Sequence, residues 1–482
     1  MREKKERTER KVTFTEALIL LIVVIVVIFL NAMKFKIGTG LSVLGVAMIL
    51  AAYGMLVLRI PWDEMMADML KVFQNGMGAV LILLMVGFIS GSWTASGTTP
   101  MLIYYGLKLI SPAVYLIVAF LLCALLGMAT GSAWAIISSV GLALMGVAQG
   151  LGVPVAPAAA AIAGGAYVGD MWSPFSDVPN LASACTRGTS FDVFKSMIPT
   201  QVPALILSIV LYGILGIRYA SAGFDNSAVI EVQTALSQVY RWNILLLLPL
   251  IIVVGGVAMK FPIIPTLAVS SLTAVLEAII FQGMRGPAAF NVLYSGITAE
   301  TSNEAINRLL SGGGLTSMMS LILIIFCAFI FAGIIERVGL LKVLLGGLAA
   351  RSKSRGMTIL MSMISGIASV YLTASVYVAE ILNCRIWNDV YKKQGMSTLM
   401  NARVQNGGMS NWGMIVPWSG GVAVMSSCFG LSWHQYAPYL FMTWGSMLFI
   451  LLWGFLGKYM IPLEEDEVME TAELGEPVPA AE

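Results

Sequence analysis

The stretch GGAYVGDMWSPFSDVPN, running from Gly164 to Asn180, holds two aspartates, two prolines and three glycines. On either side the chain is so apolar that almost every other segment belongs in lipid. A carboxylate near the bilayer midplane costs several kcal/mol, and irregular backbone survives there only inside protein or beside a water-filled cavity. Asp170 and Asp177 on such an interruption therefore mark a site. A site of this kind usually moves an ion.

The rest of the chain agrees. Of 482 residues, 58% are hydrophobic and only 11% charged, with a mean hydropathy of +0.86. A soluble domain carries about a quarter charged residues, so that class is excluded. At about 20 apolar residues per span, the apolar stretches predict about ten to twelve spans. A net charge of +2, with no basic patch alternating with aromatics, gives no sign of a nucleic-acid partner. The five cysteines (Cys123, Cys185, Cys327, Cys384, Cys428) have neither CxxC nor zinc spacing and read as reduced core filler. His434 is the only histidine, so no histidine metal cluster is expected.

MREKKERTERK mixes both signs, and no cleavage pattern follows the apolar run Ala17 to Leu30, so that run is expected to persist as the first span. Arg2, Lys4, Lys5, Arg7, Arg10 and Lys11 predict a cytoplasmic N-terminus, and RSKSR (Arg351–Arg355) a cytoplasmic loop. Spans are expected near 15–33, 37–58, 76–95, 112–130, 132–150, 199–217, 243–259, 262–283, 315–335, 356–378 and 437–457, with a small-residue run at 154–168, a shorter run at 413–429 and an amphipathic stretch from Trp62 to Asn75. These divide into a cytoplasmic segment 1–14, a first membrane half 15–217 broken at 164–180, and linking spans and polar loops 218–314. A second half 315–457 follows, broken at 405–418, and then an acidic, disordered tail 458–482.

The two halves resemble each other. Gly91 and Gly97 bracket SWTAS as Gly333 and Gly339 bracket IIERV, and TGSAW (Thr130–Trp134) has a counterpart in TASVY (Thr373–Tyr377). Beyond these, Gly164–Asn180 in one half answers Asn406–Pro417 in the other. Paired interruptions at matching positions point to a transporter site between two repeats.

GSAWAIISSVGLALMGVAQGLGVP followed by AGGAYVGDMWSPFSDVPNLA resembles the NhaC family of sodium/proton antiporters. FAGIIERVG, YKKQG and IVPW in the second half are similar to family motifs as well. The resemblance spans roughly residues 10 to 460. It implies an all-α polytopic membrane protein of two inverted structural repeats, with re-entrant hairpins, discontinuous helices, elevator-like motion and a homodimer. It also implies a multi-pass protein of the cytoplasmic membrane that is not an enzyme, has no cofactor and takes Na+ as cargo. The departures are in the second half. Thr373-Ala374-Ser375-Val376-Tyr377 stands where the family reads T-G-D-Q-Y, and Gln405-Asn406 where it carries an acidic pair. Val178-Pro179 replaces two hydroxyl residues, while Glu380 is an acid the family pattern does not predict.

Sodium prefers hard oxygens, and Asp170, Ser173, Ser176, Asp177 and Asn180 supply them within eleven residues. Carbonyls freed by Pro174 and Pro179 can add to the set. Asp177 and Ser176 are the leading Na+ ligands. Thr130, Ser132, Thr373, Ser375, Gln405 and Asn406 are the candidate ligands from the other breaks. Desolvation disfavours a charged carboxylate, so one such group can hold a proton or a cation in turn; Asp177, Asp170 and Glu336 are the proton-coupling candidates. Glu336 can alternatively pair with its neighbour Arg337. The plain reading of either aspartate is a helix N-cap. Trp134, Trp172, Trp412 and Trp418 fit interfacial packing, or the wall of an organic-solute pocket.

No GxxxxGKS loop supports ATP drive, so an ion gradient must supply the energy. The expected function is Na+/H+ exchange by alternating access. The alternative is an ion-coupled carrier of a small organic solute, an amino acid or carboxylate, that has lost part of the acidic site. An intramembrane aspartyl protease is disfavoured, because Tyr167 sits where a GxGD motif needs glycine.

Overall fold

The computed structural model describes residues 10, 12–30, 39–173, 176–186, 188–221, 226–259, 261–299, 307, 311–349 and 351–463. Among these every named element is helical, and the only β pairing is an isolated bridge between Ile297 and Gly312. The chain is an all-α polytopic membrane protein.

Helices α1 (Phe14–Leu30) and α2 (Thr39–Leu56) lead into α3 (Trp62–Ser96), a single helix of 35 residues. The expected amphipathic stretch 62–75 is thus the first part of a span rather than a separate element, since neither proline nor a capping turn divides them. Gly97 ends α3 with φ 94, and α4 (Thr98–Leu109) leaves at 70°. Next come α5 (Pro112–Thr130), α6 (Ala133–Ile136), a π-turn (Ile137–Gly141), α7 (Leu142–Gly150), α8 (Val155–Trp172), α9 (Asp177–Cys185) and α10 (Ser190–Ser221). The linking region holds α11 (Asn226–Val239), a 3-10 turn (Ile244–Leu247), α12 (Leu248–Ala258), α13 (Ile263–Ile280) and α14 (Gly286–Ser295). The second half comprises α15 (Leu315–Val338), α16 (Leu340–Ala349), α17 (Arg355–Thr373), α18 (Val376–Lys393) and α19 (Thr398–Val404). A π-turn (Gln405–Met409), a 3-10 turn (Ser410–Met414), α20 (Gly420–Phe429), α21 (Trp433–Tyr436) and α22 (Phe441–Leu456) complete it. Among the described residues 5 helices are long and apolar enough to cross a membrane, or up to 8 if each bent pair is one span. That is fewer unbroken spans than expected, because the breaks divide what hydropathy reads as continuous.

The repeat is visible in the backbone. Gly97 and Gly339 (φ 75) both end long helices in the left-handed region, before α4 and α16. Gly131 (φ 66) and Ala374 (φ 55) do the same after α5 and α17, and Ser132 and Ser375 then cap the next helix. Alanine in that region is strained by roughly 1–2 kcal/mol, so the second-half break is enforced by its surroundings.

The first broken segment is narrower than expected. Gly164 to Trp172 are helical, and the interruption is confined to 173–176. Ser173 is extended (φ -82, ψ 126) because a residue before proline avoids the α region. Pro179 lies in the first turn of α9, where its missing N–H has no helical acceptor to lose.

Helix α8 packs along α5, and α10 packs against both α5 and α22. The α5–α8 contact is nearly backbone to backbone. A methyl on Gly165 would overlap the Phe120 carbonyl oxygen, and one on Gly169 the Ala124 carbonyl oxygen. Small residues four apart are what lets two helices in lipid approach this closely. Helix α10 carries Pro199 and Pro203 in its interior. Pro203 has no N–H for the Pro199 carbonyl, and Trp453 of α22 donates its indole N–H to that oxygen at 2.9 Å.

Candidate functional site

Asp170 lies in the last turn of α8, 6% exposed, and its own carbonyl accepts from the Ser173 N–H at 3.1 Å. Ser173 and Ser176 are each 1% exposed, and the Ser173 carbonyl accepts from Ser176 N–H at 3.2 Å. Ser176, not an aspartate, is the N-cap of α9, accepting from Val178 N–H at 3.2 Å. Asp177 is therefore the first helical residue, at the positive end of the α9 dipole; its side chain lies outside the described residues. Asn180 is exposed, donating to the Ser176 carbonyl at 2.7 Å and accepting from Ser190 Oγ, so it ties α9 to α10.

The hydroxyls at the paired breaks turn on their own backbone. Ser132 accepts from Ala135 N–H and Ser375 from Val378 N–H, each at 3.3 Å. Thr373 Oγ1 donates to the Ser369 carbonyl at 2.7 Å and lies 3.0 Å from the Ser375 carbonyl. The Thr130 side chain lies outside the described residues.

Gln405 and Asn406 are fully buried in the second π-turn. Such turns inside helices are frequent at functional sites. Gln405 Nε2 donates to the Ser362 carbonyl (3.3 Å) and to Asn401 Oδ1 (3.1 Å), but its Oε1 has no hydrogen-bond partner. Neither polar atom of the Asn406 amide has one. An orphaned amide in a protein interior costs about 1–3 kcal/mol, which a ligand bound there would recover.

The fold brings the two interruptions together. Helix α9 packs against α18 and against the π-turn that carries Gln405 and Asn406. Tyr167, one turn before Asp170, places its hydroxyl against Gly413 and Gly421, on either side of the second-half break. Glu380 is 0% exposed on α18, so a second-half carboxylate is buried on the helix that meets α9. Glu336 is not part of this meeting. It is exposed near the end of α15, and Arg337 ion-pairs with Glu64 and lies 4.0 Å from Asp68 on α3 instead of serving Glu336.

Sequence reasoning missed a buried polar seam between α17 and α18. Ser365 Oγ donates to Asn383 Oδ1 (2.5 Å), and Asn383 Nδ2 donates to Ser369 Oγ (2.9 Å). Trp387 Nε1 donates to Ser365 Oγ (2.9 Å), and Ser362 and Tyr391 share a hydroxyl bond of 2.7 Å. The signal was present as serines at helical spacing, Ser362, Ser365 and Ser369, on one face of an apolar helix. The tryptophans divide by position. Tyr371 packs between Trp412 and Trp418, whereas Trp172 meets Phe194 on α10. Cys123, Cys327 and Cys384 are buried and take part in no disulfide, and His434 is exposed beside Trp433.

The chain's relatives are antiporters by name. The model of a family described as "Na+/H+ antiporter family" matches residues 165–458. A malate-2H(+)/Na(+)-lactate antiporter of Bacillus subtilis is 31% identical over 387 residues, 80% of this chain and 82% of the relative. The arginine/ornithine antiporter ArcD of Halobacterium salinarum is 32% identical over 414 residues, 85% of each. The Na(+)/H(+) antiporter NhaC of Alkalihalophilus pseudofirmus is 30% identical over 450 residues, 93% of this chain and 97% of the relative. With a family model over most of its length and an end-to-end likeness to NhaC, this chain belongs to the NhaC-type Na+/H+ antiporter family.

Proposed function

We propose that the protein is a secondary antiporter exchanging Na+ for H+ across the cytoplasmic membrane by alternating access. On this reading its two halves are inverted, its N-terminus is cytoplasmic and it works as a homodimer. The observation that carries it is the packing of α9, which begins at Asp177, against the helix that buries Glu380 and the turn that holds Asn406. A carboxylate in such surroundings holds a proton or a sodium ion in turn, and alternating the two across the membrane is antiport. Asp177 and Asp170 supply charge from the first half, Ser173 and Ser176 supply oxygens, and Glu380 takes over from the acids that Gln405 and Asn406 replace. Sodium is cargo here, and no cofactor is needed.

A second reading is favoured by the Asn406 amide. It offers a donor and an acceptor that do not titrate, which suits a carboxylate or amino-acid headgroup better than a proton. Two of the relatives are named for organic cargo, malate with lactate and arginine with ornithine. In liposomes with a pH dye inside, an imposed Na+ gradient is expected to drive proton movement that protein-free liposomes do not show. If no Na+-linked proton movement occurs while labelled malate or arginine exchanges with its unlabelled form, the second reading replaces the first. Asn406→Asp is expected to steepen the dependence of flux on Na+ and pH. An unchanged dependence would show that position 406 takes no part in coupling.

A further inference from the structure

One buried acid lies outside both halves. Glu277 sits on α13, in the linking region, and is 4% exposed. Neither carboxylate oxygen has a hydrogen-bond partner. Its place is fixed by contacts to α3 on either side. Ser270 accepts from the Trp93 indole N–H at 3.0 Å, Ala274 packs with Ile89 and Trp93, and Ala278 packs with Ala95 and Val292. One turn beyond, Gln282 Nε2 donates to the Ser96 carbonyl at 2.8 Å, next to the Gly97 break. Glu277 therefore lies in the α3–α13 contact, at the point where α3 bends into α4.

Among the described residues, no charge faces it from the elements that pack on α13. The charged residues of α3 (Asp63, Glu64, Asp68, Lys71) lie at its far end, α12 has none, and α14 offers only the exposed Tyr294. Arg241 and Arg285 are exposed at the surface, and Tyr240 closes on Gly97 rather than on α13. An ionised carboxylate in a dry contact with neither a partner nor a donor is far costlier than the neutral acid.

We propose that Glu277 is a proton-binding site outside the two halves, neutral while α3 and α13 are packed, and that releasing its proton requires this contact to open beside the Gly97 break. Ionisation needs water or a cation to reach the carboxylate. Proton release and separation of the two helices are then one event, which gives the linking region its own response to pH. This goes beyond the Na+/H+ reading and does not depend on it.

The test uses the full protein in lipid. Infrared difference spectra on alkaline titration are expected to show loss of a protonated-carboxyl C=O band, and Glu277→Gln should lack that band. A second measurement needs no variant. Dicyclohexylcarbodiimide, an apolar reagent for protonated carboxyls, should leave an adduct on Glu277 by peptide mapping, lost as pH rises. A band unchanged in Glu277→Gln, or no adduct at Glu277, overturns the proposal. Both readouts are independent of flux, so failure of Na+/H+ exchange would leave them standing.

Discussion

Proteoliposomes bearing Asp177→Asn are expected to show no coupled flux above background while the protein elutes and melts like the parent. The amide keeps the shape of the side chain, and Ser176 rather than Asp177 caps α9, so the helix start survives. What is lost is a negative charge on the first residue of α9, the helix that packs against α18 and the Gln405–Met409 turn. A cation that exchanges a charged ligand for a neutral amide forfeits about 1.5–3 kcal/mol, roughly ten- to a hundredfold in affinity. Flux within a few-fold of the parent would remove Asp177 from the centre of the mechanism. Glu380→Gln belongs in the same experiment, and retention of Na+ dependence there would return the second-half role to the amides.

The largest effect on folding is expected at Gly169. A methyl group there meets the Ala124 carbonyl oxygen, and backbone cannot swing aside as a flexible side chain can. Overpacking of this kind costs roughly 1–3 kcal/mol for one methyl. Gly169→Ala should therefore lower the melting temperature in detergent, and the Gly165→Ala/Gly169→Ala pair should prevent recovery of monodisperse protein. Gly45→Ala on α2 is the control, since an added methyl there meets nothing within 4 Å. Equal melting of Gly169→Ala and Gly45→Ala would show that α5 and α8 are not held by this contact.

The membrane class, the two interruptions and the kinship of Gly97 with Gly339 and of TGSAW with TASVY were legible in the sequence, whereas the break at Ala374 was not, since the expected span 356–378 runs through it. Hydropathy names the lipid-facing chain, proline names the break, and a hydroxyl beside the break names the cap. Asp170 and Asp177 stood out for the same reason. The Ser365–Asn383–Trp387 seam was not legible, since a serine pattern on one helix has meaning only when another helix supplies its partners. Glu277 escaped for the opposite reason. The cost of an acid in lipid applied to it as it did to Asp170. But Glu277 sits inside an otherwise unbroken span with no proline or glycine break beside it, and its burial against α3 is what shows it. The alternative pairing of Glu336 with Arg337 is not formed, because the fold gives Arg337 to Glu64.

One carbonyl oxygen constrains how the machine moves. The widened turn at Gln405–Met409 exposes the oxygen of Gly407, and Gln201, Asn411 and Ser446 each bond to it, at 3.4, 3.0 and 2.5 Å. Those donors come from α10, from the 3-10 turn that follows, and from α22. Sliding any one past the others would strand several dipoles in oil at once. Under the proposed alternating access the knot travels whole, with any slip plane between the moving parts running elsewhere.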